Sequence, residues 1–299
     1  MVNAPKSLTT YLGCMGILIT VFLAFYSFLT GVEQIHYSGE LVEAAVFSPE
    51  GNTLYGVGSI YTSEQYNDTL QAWDAQTGKL RWRHLLERDS TNRHISLSHD
   101  GKTLLLPVSL SLYDAHTGQR KHPFLSEALG VSTYCPALFT QDDKEIIAVL
   151  ADGRSLMVLD AATGKLKRKL AVAPNANIVN LALSPDGKQL VFQQDNQLVL
   201  RDLATDKTLA KQTTEETYYT TPFRFLPDGK RFQCGAKIWT PGTSKLTTPP
   251  SIAQHTADSL DGKRFVILEE RGGKNQRYQL GTIEDIQGKR VTLEGQTGW

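Results

Sequence analysis

A turn of the type Ser-Pro-Asp-Gly-Lys recurs along this chain and constrains its fold more than any other feature. It stands as SPEGN at Gly51, SHDGK at Gly101, QDDKE at Lys144, SPDGK at Gly187, LPDGK at Gly229 and SLDGK at Gly262, at intervals of 33 to 50 residues. A second turn, Asp-x-x-Thr-Gly, starts at Asp74, Asp114 and Asp160. It returns from Asp202 with Asp206 in the glycine's place, decays to TPGTSK from Thr240 and shortens to DIQGK from Asp285. In such turns Pro presets one dihedral, Gly supplies positive φ and Asp bonds its own backbone. The flanks read as strands: AAVFS, TLYGVG, LQAW and KLRWRHL in the first unit, IVNLALS, QLVFQQ, QLVLRD and TLAKQ in the fourth.

Four short strands per unit of roughly 40–45 residues is the pattern of a β-propeller. The prediction is an all-β fold: a propeller of about six blades over residues 33–299, seven blades being the alternative. The unit LSPDGK…LVLRDLATDK resembles the WD-repeat and YVTN-like β-propeller families, and WDAQTGKLRW in the first unit resembles a blade of the quinoprotein-type propellers. The resemblance implies architecture, since these folds host unrelated functions. The chain departs from the WD pattern. It lacks the Gly-His signature, and the Trp of the Trp-Asp pair, kept as Trp73, becomes Tyr113, Leu159 and Arg201.

Ahead of the repeats, residues 8–32 contain no charged side chain, and about 20 helical residues cross a bilayer core. Residues 1–32 therefore read as a single transmembrane anchor. Lys6 precedes the run and Glu33, Glu40 and Glu43 follow it, which puts the N-terminus in the cytoplasm and the propeller in the periplasm or outside the cell. A cleaved signal peptide is the rival reading, but the run is long and ends without a small-x-small site. The segment VEQIHYS, 32–38, is either a linker to a first strand near Leu41 or a strand closing the last blade. RVTLE, 290–294, is equally able to close that blade.

The chemistry-bearing residues are sparse. The chain carries 31 Lys plus Arg against 31 Asp plus Glu, with no basic surplus of the kind that neutralises nucleic-acid phosphates. Cys14, Cys135 and Cys234 form no CxxC pair, and Cys135 and Cys234 read as buried thiols. The seven histidines fall in no HxxxH or HExxH spacing. GxSxG, P-loop and dinucleotide motifs are missing. The repeated aspartates Asp74, Asp114, Asp160 and Asp202 read as turn caps. The basic run KLKRKL, 165–170, reads as a charged outer strand that blunts a sheet edge. Gly56-Val57-Gly58-Ser59 reads as close strand packing.

The two marked turns belong on one face of the ring and the irregular connections on the other. That second face would gather Tyr61, Tyr66, Tyr134, Tyr218, Tyr219 and Arg271, residue types enriched in binding hot spots. The expectation is a non-enzymatic, membrane-anchored scaffold or accessory subunit. Its partners would be other proteins of a membrane complex, with the membrane engaged through residues 8–32, no nucleic acid and no cofactor. The alternative is a propeller enzyme: a hydrolase, a lyase or a quinone-dependent dehydrogenase.

Overall fold

The structure is a computed structural model. It describes residues 39–293 except 62–65, 87–93, 108–109, 123–136, 151, 175, 215–222, 227, 236, 244–245, 248–254, 259–263, 272–277 and 286–289. Residues 38–299 form one compact unit. The proposed anchor and VEQIHYS lie outside the described residues. Among the described residues no helix is long and apolar enough to cross a membrane.

The described strands make an all-β propeller of four-stranded antiparallel sheets, each pairing its strands in chain order. Sheet one holds β1 (Gly39–Phe47), β2 (Thr53–Tyr61), β3 (Tyr66–Asp74) and β4 (Leu80–Leu85). Sheet two holds β5 (Ser96–Leu97), β6 (Thr103–Leu106), β7 (Ser111–Asp114) and β8 (Arg120–His122). Sheet three runs from β9 (Leu138–Phe139) through β10 (Glu145–Val149) and β11 (Leu156–Asp160) to β12 (Leu166–Leu170). Sheet four runs from β13 (Ile178–Leu183) through β14 (Gln189–Gln194) and β15 (Gln197–Asp202) to β16 (Thr208–Thr213). Sheet five is β17 (Phe223–Phe225), β18 (Phe232–Cys234), β19 (Lys237–Trp239) and β20 (Leu246–Thr247). Sheet six is β21 (His255–Asp258), β22 (Arg264–Arg271), β23 (Tyr278–Asp285) and β24 (Arg290–Thr292).

First strands of neighbouring sheets approach one another, β1 with β21, β5 with β9 and β13 with β17. Fourth strands are the exposed ones: β12 is open at its first four residues, Leu166–Lys169. The basic run thus lies on an outer edge, where Lys167 reaches Glu145 at 2.7 Å. Sheet six completes itself with β24, so residues 290–292 are its outer strand and β1 is the first strand of sheet one.

The core lies between sheets. Val42, Leu54 and Trp73 of sheet one cluster with Val266 and Ile283 of sheet six, and with Leu293 just beyond β24. Tyr55 and Leu70 cluster with Leu104 and Leu106 of sheet two. Sheets three and four share Val158, Leu181 and Phe192, and sheets four and five share Val191, Phe232 and Trp239. Each fully buried large side chain contributes roughly 1.5–3 kcal/mol. Gly56 is small because Trp73 covers it: a Cβ there would lie 2.8 Å from the indole. Trp239 pairs with Phe232 and Leu246 as Trp73 pairs with Leu54 and Leu80, so the Trp position recurs in sheet five, where Thr240 has replaced the Asp.

The turns behave as their residues require. Gly78, Gly118 and Gly164 have φ of 72°, 71° and 68°. The Asp74 carboxylate accepts from the backbone N–H of Gln76 and Thr77 and from the Thr77 hydroxyl, at 2.8–3.0 Å. Asp160 and Asp202 accept likewise from Thr163 and Thr205. These aspartates are turn caps. In the other turn series, Ser98 Oγ and Ser184 Oγ accept from the first N–H of the next strand and donate to Asp100 and Asp186.

That series also links one sheet to the next. Among the described turns the second residue of one meets the fourth residue of the next: Pro49 lies against Gly101, Gln141 against Gly187 and Pro185 against Gly229. Between sheets two and three the pair is polar. Asp143, at φ 56° where the other turns have Gly, accepts from the His99 and Asp100 N–H groups at 2.7 and 2.9 Å, and its Oδ1 lies 3.0 Å from His99 Nδ1.

Candidate functional site

The topology fixes two faces. Connections between first and second strands and between third and fourth strands share one end of every sheet, the turn face. Connections between second and third strands, and between successive sheets, share the loop face.

Of the six residues expected to bind partners, Tyr61, Tyr66 and Arg271 are placed, all at the loop-face ends of strands. They are strand residues rather than loop residues. Antiparallel pairing continues to the register pairs Tyr61↔Tyr66 and Arg271↔Tyr278, so the connections are shorter than the sequence suggested. Sheets one and six are neighbours, which brings Tyr61, Tyr66 and Arg271 to adjacent sheets. Tyr134, Tyr218 and Tyr219 lie outside the described residues, as do Cys14 and Cys135. Cys234 is a fully buried thiol on β18. The sequon Asn67-Asp68-Thr69 lies within β3, and its Thr69, 0% exposed, donates its hydroxyl to the Gly58 carbonyl.

The turn face carries a site the sequence reading missed. A cleft of about 530 Å³ opens between sheets one and two. Tyr55 and Trp82 form its wall, with ring centroids 6.1 Å apart. Arg81, Lys102 and Lys121 bring three cations to its lining, each beside a carboxylate: Asp74 at 2.7 Å, Asp100 at 3.4 Å and Asp114 at 3.7 Å.

A β-bulge assembles this lining. Ala72 pairs with Trp82 but Trp73 pairs with Leu80, so Arg81 is an extra residue in β4. The bulge turns Arg81 and Trp82, neighbours in sequence, towards one face. The same bulge recurs with Lys121 in β8, Lys167 in β12 and Leu209 in β16. Arg81 then folds back on its own turn, 2.7 Å from Asp74, 2.9 Å from Thr53 Oγ1 and 3.3 Å from the Asn52 carbonyl. The Arg81 guanidinium, first among its partners, holds Asp74 far below the usual carboxylate range. Lys121 Nζ donates to the Lys102 carbonyl at 3.1 Å and to Thr103 Oγ1 at 2.9 Å, and stands 3.7 Å from Asp114. The signal available in sequence was a cation three residues after each turn glycine, as in TGKLRW and TGQRK.

No group of three or more His, Cys, Asp or Glu able to hold a metal occurs among the described residues. The first strands, which lie nearest the axis, carry one Lys or Arg among them, Arg224. It donates to the Gln233 carboxamide oxygen at 3.1 and 3.0 Å.

Residues 42–228 match the PQQ_2 family model, described as outer membrane protein assembly factor BamB. The chain belongs to this BamB-like family. The match bears out the quinoprotein-type likeness read from WDAQTGKLRW in the first unit. No curated protein matches the BamB-like chain. Among solved structures, hydrazine synthase of Kuenenia stuttgartiensis is similar at 17% identity with a TM-score of 0.49, over 86% of this chain and 68% of that one.

Proposed function

We propose that this BamB-like protein is a binding subunit rather than an enzyme: a membrane-anchored, extracytoplasmic scaffold within a membrane-associated protein complex. The observation that carries the reading is the family match over residues 42–228, since the family is described as an assembly factor. The fold supports it. In this reading the sheets close as a six-bladed ring, sheet six packing on sheet one through a shared core. The third-to-fourth turn of sheet one lies against β24 just as that of sheet two lies against β4. A closed ring is a rigid disc that presents two fixed faces.

The loop face is the proposed partner face, with Tyr61, Tyr66 and Arg271 at its strand ends. The chain enters the propeller at that face, because β1 starts there. Residues 33–38 reach about 20 Å when extended. A tether that short would raise the propeller's effective concentration near membrane proteins.

The test is a mild-detergent pull-down of the full chain from its native membranes, beside a Tyr61→Ala/Tyr66→Ala/Arg271→Ala variant. A co-purifying membrane protein lost in the variant is the expected result. A stoichiometric chromophore in the purified protein, or a soluble product beginning near residue 32, would overturn the binding or the anchored part of the reading respectively.

A further inference from the structure

We infer that the cleft between sheets one and two is a binding site for a neutral pyranose sugar. This goes beyond the scaffold reading and does not rest on it.

The aromatic wall is particular to this seam. Antiparallel register sets Tyr55, Ala72 and Trp82 in one row across sheet one. In sheets two to four the residues in Tyr55's place are Leu105, Ile147 and Val191, and those in Trp82's place are His122, Arg168 and Ala210. The turns around the cleft are repeat scaffolding, whereas the Tyr–Ala–Trp row departs from the repeat. The indole is also held in place. Gly118 packs against it, since a Cβ there would lie 2.6 Å from Trp82 Cε3 and Cζ3, and the His84 ring lies 5.6 Å away. Trp82 is half-buried and lines the cleft, a fixed apolar plate beside polar side chains.

Charge decides what can lie on that plate. Arg81, Lys102 and Lys121 are balanced by Asp74, Asp100 and Asp114, so the cleft favours neither an anion nor a cation. Hydrogen-bonding capacity is left over in both senses. Asp114 Oδ1 accepts from the His116 and Thr117 N–H groups and the Thr117 hydroxyl, while its Oδ2 accepts no hydrogen bond among the described residues and has Lys121 Nζ 3.7 Å away. Lys121 Nζ donates to the Lys102 carbonyl and to Thr103 Oγ1 and keeps a third N–H. Lys102 reaches Asp100 at 3.4 Å and also keeps donors to spare. The His116 ring makes no hydrogen bond among the described residues. A fitting occupant is neutral, donates and accepts within a short span, and has an apolar face for the indole. A sugar hydroxyl both donates and accepts, and the C–H face of a pyranose ring packs on an aromatic face. A neutral apolar molecule would cover Asp114 Oδ2 and Lys121 without pairing them. The volume, about 530 Å³, is that of a small-molecule site.

The full chain is kept in a polyoxyethylene detergent, which carries no sugar. It is titrated with maltose, cellobiose and N,N′-diacetylchitobiose by calorimetry and by tryptophan fluorescence. At least one of the three is expected to bind saturably, with an affinity that salt leaves unchanged because no net charge is paired. Trp82→Phe should remove the fluorescence response while Trp73, Trp239 and Trp299 remain. Lys102→Ala/His116→Ala alters two exposed side chains. The thermal midpoint should hold in that variant while affinity falls at least about threefold with the lost hydrogen bonds. The neutral peptide acetyl-(Gln-Ala)4-amide should bind more weakly than the sugar. Saturable binding by none of the three sugars overturns the proposal. So does a fluorescence response that persists in Trp82→Phe, unchanged affinity in Lys102→Ala/His116→Ala, an affinity that salt abolishes, or tighter binding of the peptide. A failed pull-down at the loop face leaves this titration untouched.

Discussion

Gly78 is the residue where ring closure can be measured. Its φ of 72° is costly for any residue with a Cβ. A methyl group there would also overlap the Thr292 carbonyl oxygen and lie 2.7 Å from Val291 Cγ1, both on β24 of sheet six. The two costs can be separated within the molecule. Gly242 has φ 91° and nothing within 4 Å of the added methyl, and Gly229 has φ 63° with its nearest neighbour, Pro185, at 3.7 Å. Gly242→Ala and Gly229→Ala therefore carry backbone strain alone, about 1–2 kcal/mol. Gly78→Ala adds an overlap with backbone that no rotamer can relieve. β24 must move away, at a further cost of about 1–3 kcal/mol typical of overpacking. Gly118→Ala should fall between, because its added methyl meets the His84 and Trp82 side chains, which have some freedom to give. At roughly 2–4 °C per kcal/mol for a domain of this size, Gly78→Ala should melt about 4–20 °C below the parent chain, and the two strain-only variants about 2–8 °C below. Circular dichroism melts give the ranking. Hydrogen exchange should show lost protection at residues 290–292 in Gly78→Ala alone. Equal losses in all variants, with protection of β24 intact, would refute the closure contact.

The Arg201–Asp206 pair should behave as a coupled unit. Asp206 takes φ 54° without being Gly, stands 3.1 Å from the buried Arg201 and accepts from the Ala171 N–H, while Arg201 donates to the Ala171 carbonyl and lies over the Phe192 ring. Asp206→Gly should destabilise in urea melts despite relieving that strain, and a cycle with Arg201→Leu should show a coupling of about 1–3 kcal/mol. An acid titration should show the turn carboxylates at work. Hydrogen bonds from Ser98, Thr140 and Ser184 lower Asp100, Asp142 and Asp186, and Arg231 lowers Asp228 to about 2. Folded-state values below unfolded ones near 3.9 mean stability that is present above about pH 4 and lost as pH falls towards about 2. The melting midpoint should follow that window, and Asp228→Asn should flatten part of the slope. Cys234 should resist a thiol reagent in native protein and react fully in denaturant, since its side chain is 0% exposed.

Much of this was legible in the primary structure because turn chemistry is local. The Ser/Thr hydroxyl, the Asp carboxylate and the positive-φ Gly act within five residues, so spacing alone placed the strands on either side. Non-local features were illegible for the same reason. Asp206 looked like a decayed glycine position, and spacing put the third turn one residue late, with Lys144 in the glycine's place; the positive-φ residue there is Asp143, and Asp143 and Asp206 are each held from a neighbouring sheet. The bulge that aims Arg81 and Trp82 together depends on cross-strand register, which the alternation in KLRWRHL does not reveal. The loop face was half legible: the sequence marked its tyrosines, but the strands ran further than turn propensity suggested, because Tyr61 and Tyr66 continue the pairing instead of breaking it.

The turn-to-turn contacts between successive sheets have a consequence for how the chain finds its own arrangement. Four seams among the described residues show three kinds of joint: Pro49 to Gly101 and Pro185 to Gly229 are alike, while His99 to Asp143 and Gln141 to Gly187 differ from them and from each other. A sheet docked on the wrong neighbour would set Pro49 against Asp143 and leave the carboxylate without the backbone N–H and ring nitrogen that His99 supplies, since Pro49 has neither. Sheets alike enough to be interchangeable by shape are thus kept in sequence by their joints, much as keyed connectors stop a cable being assembled in the wrong order.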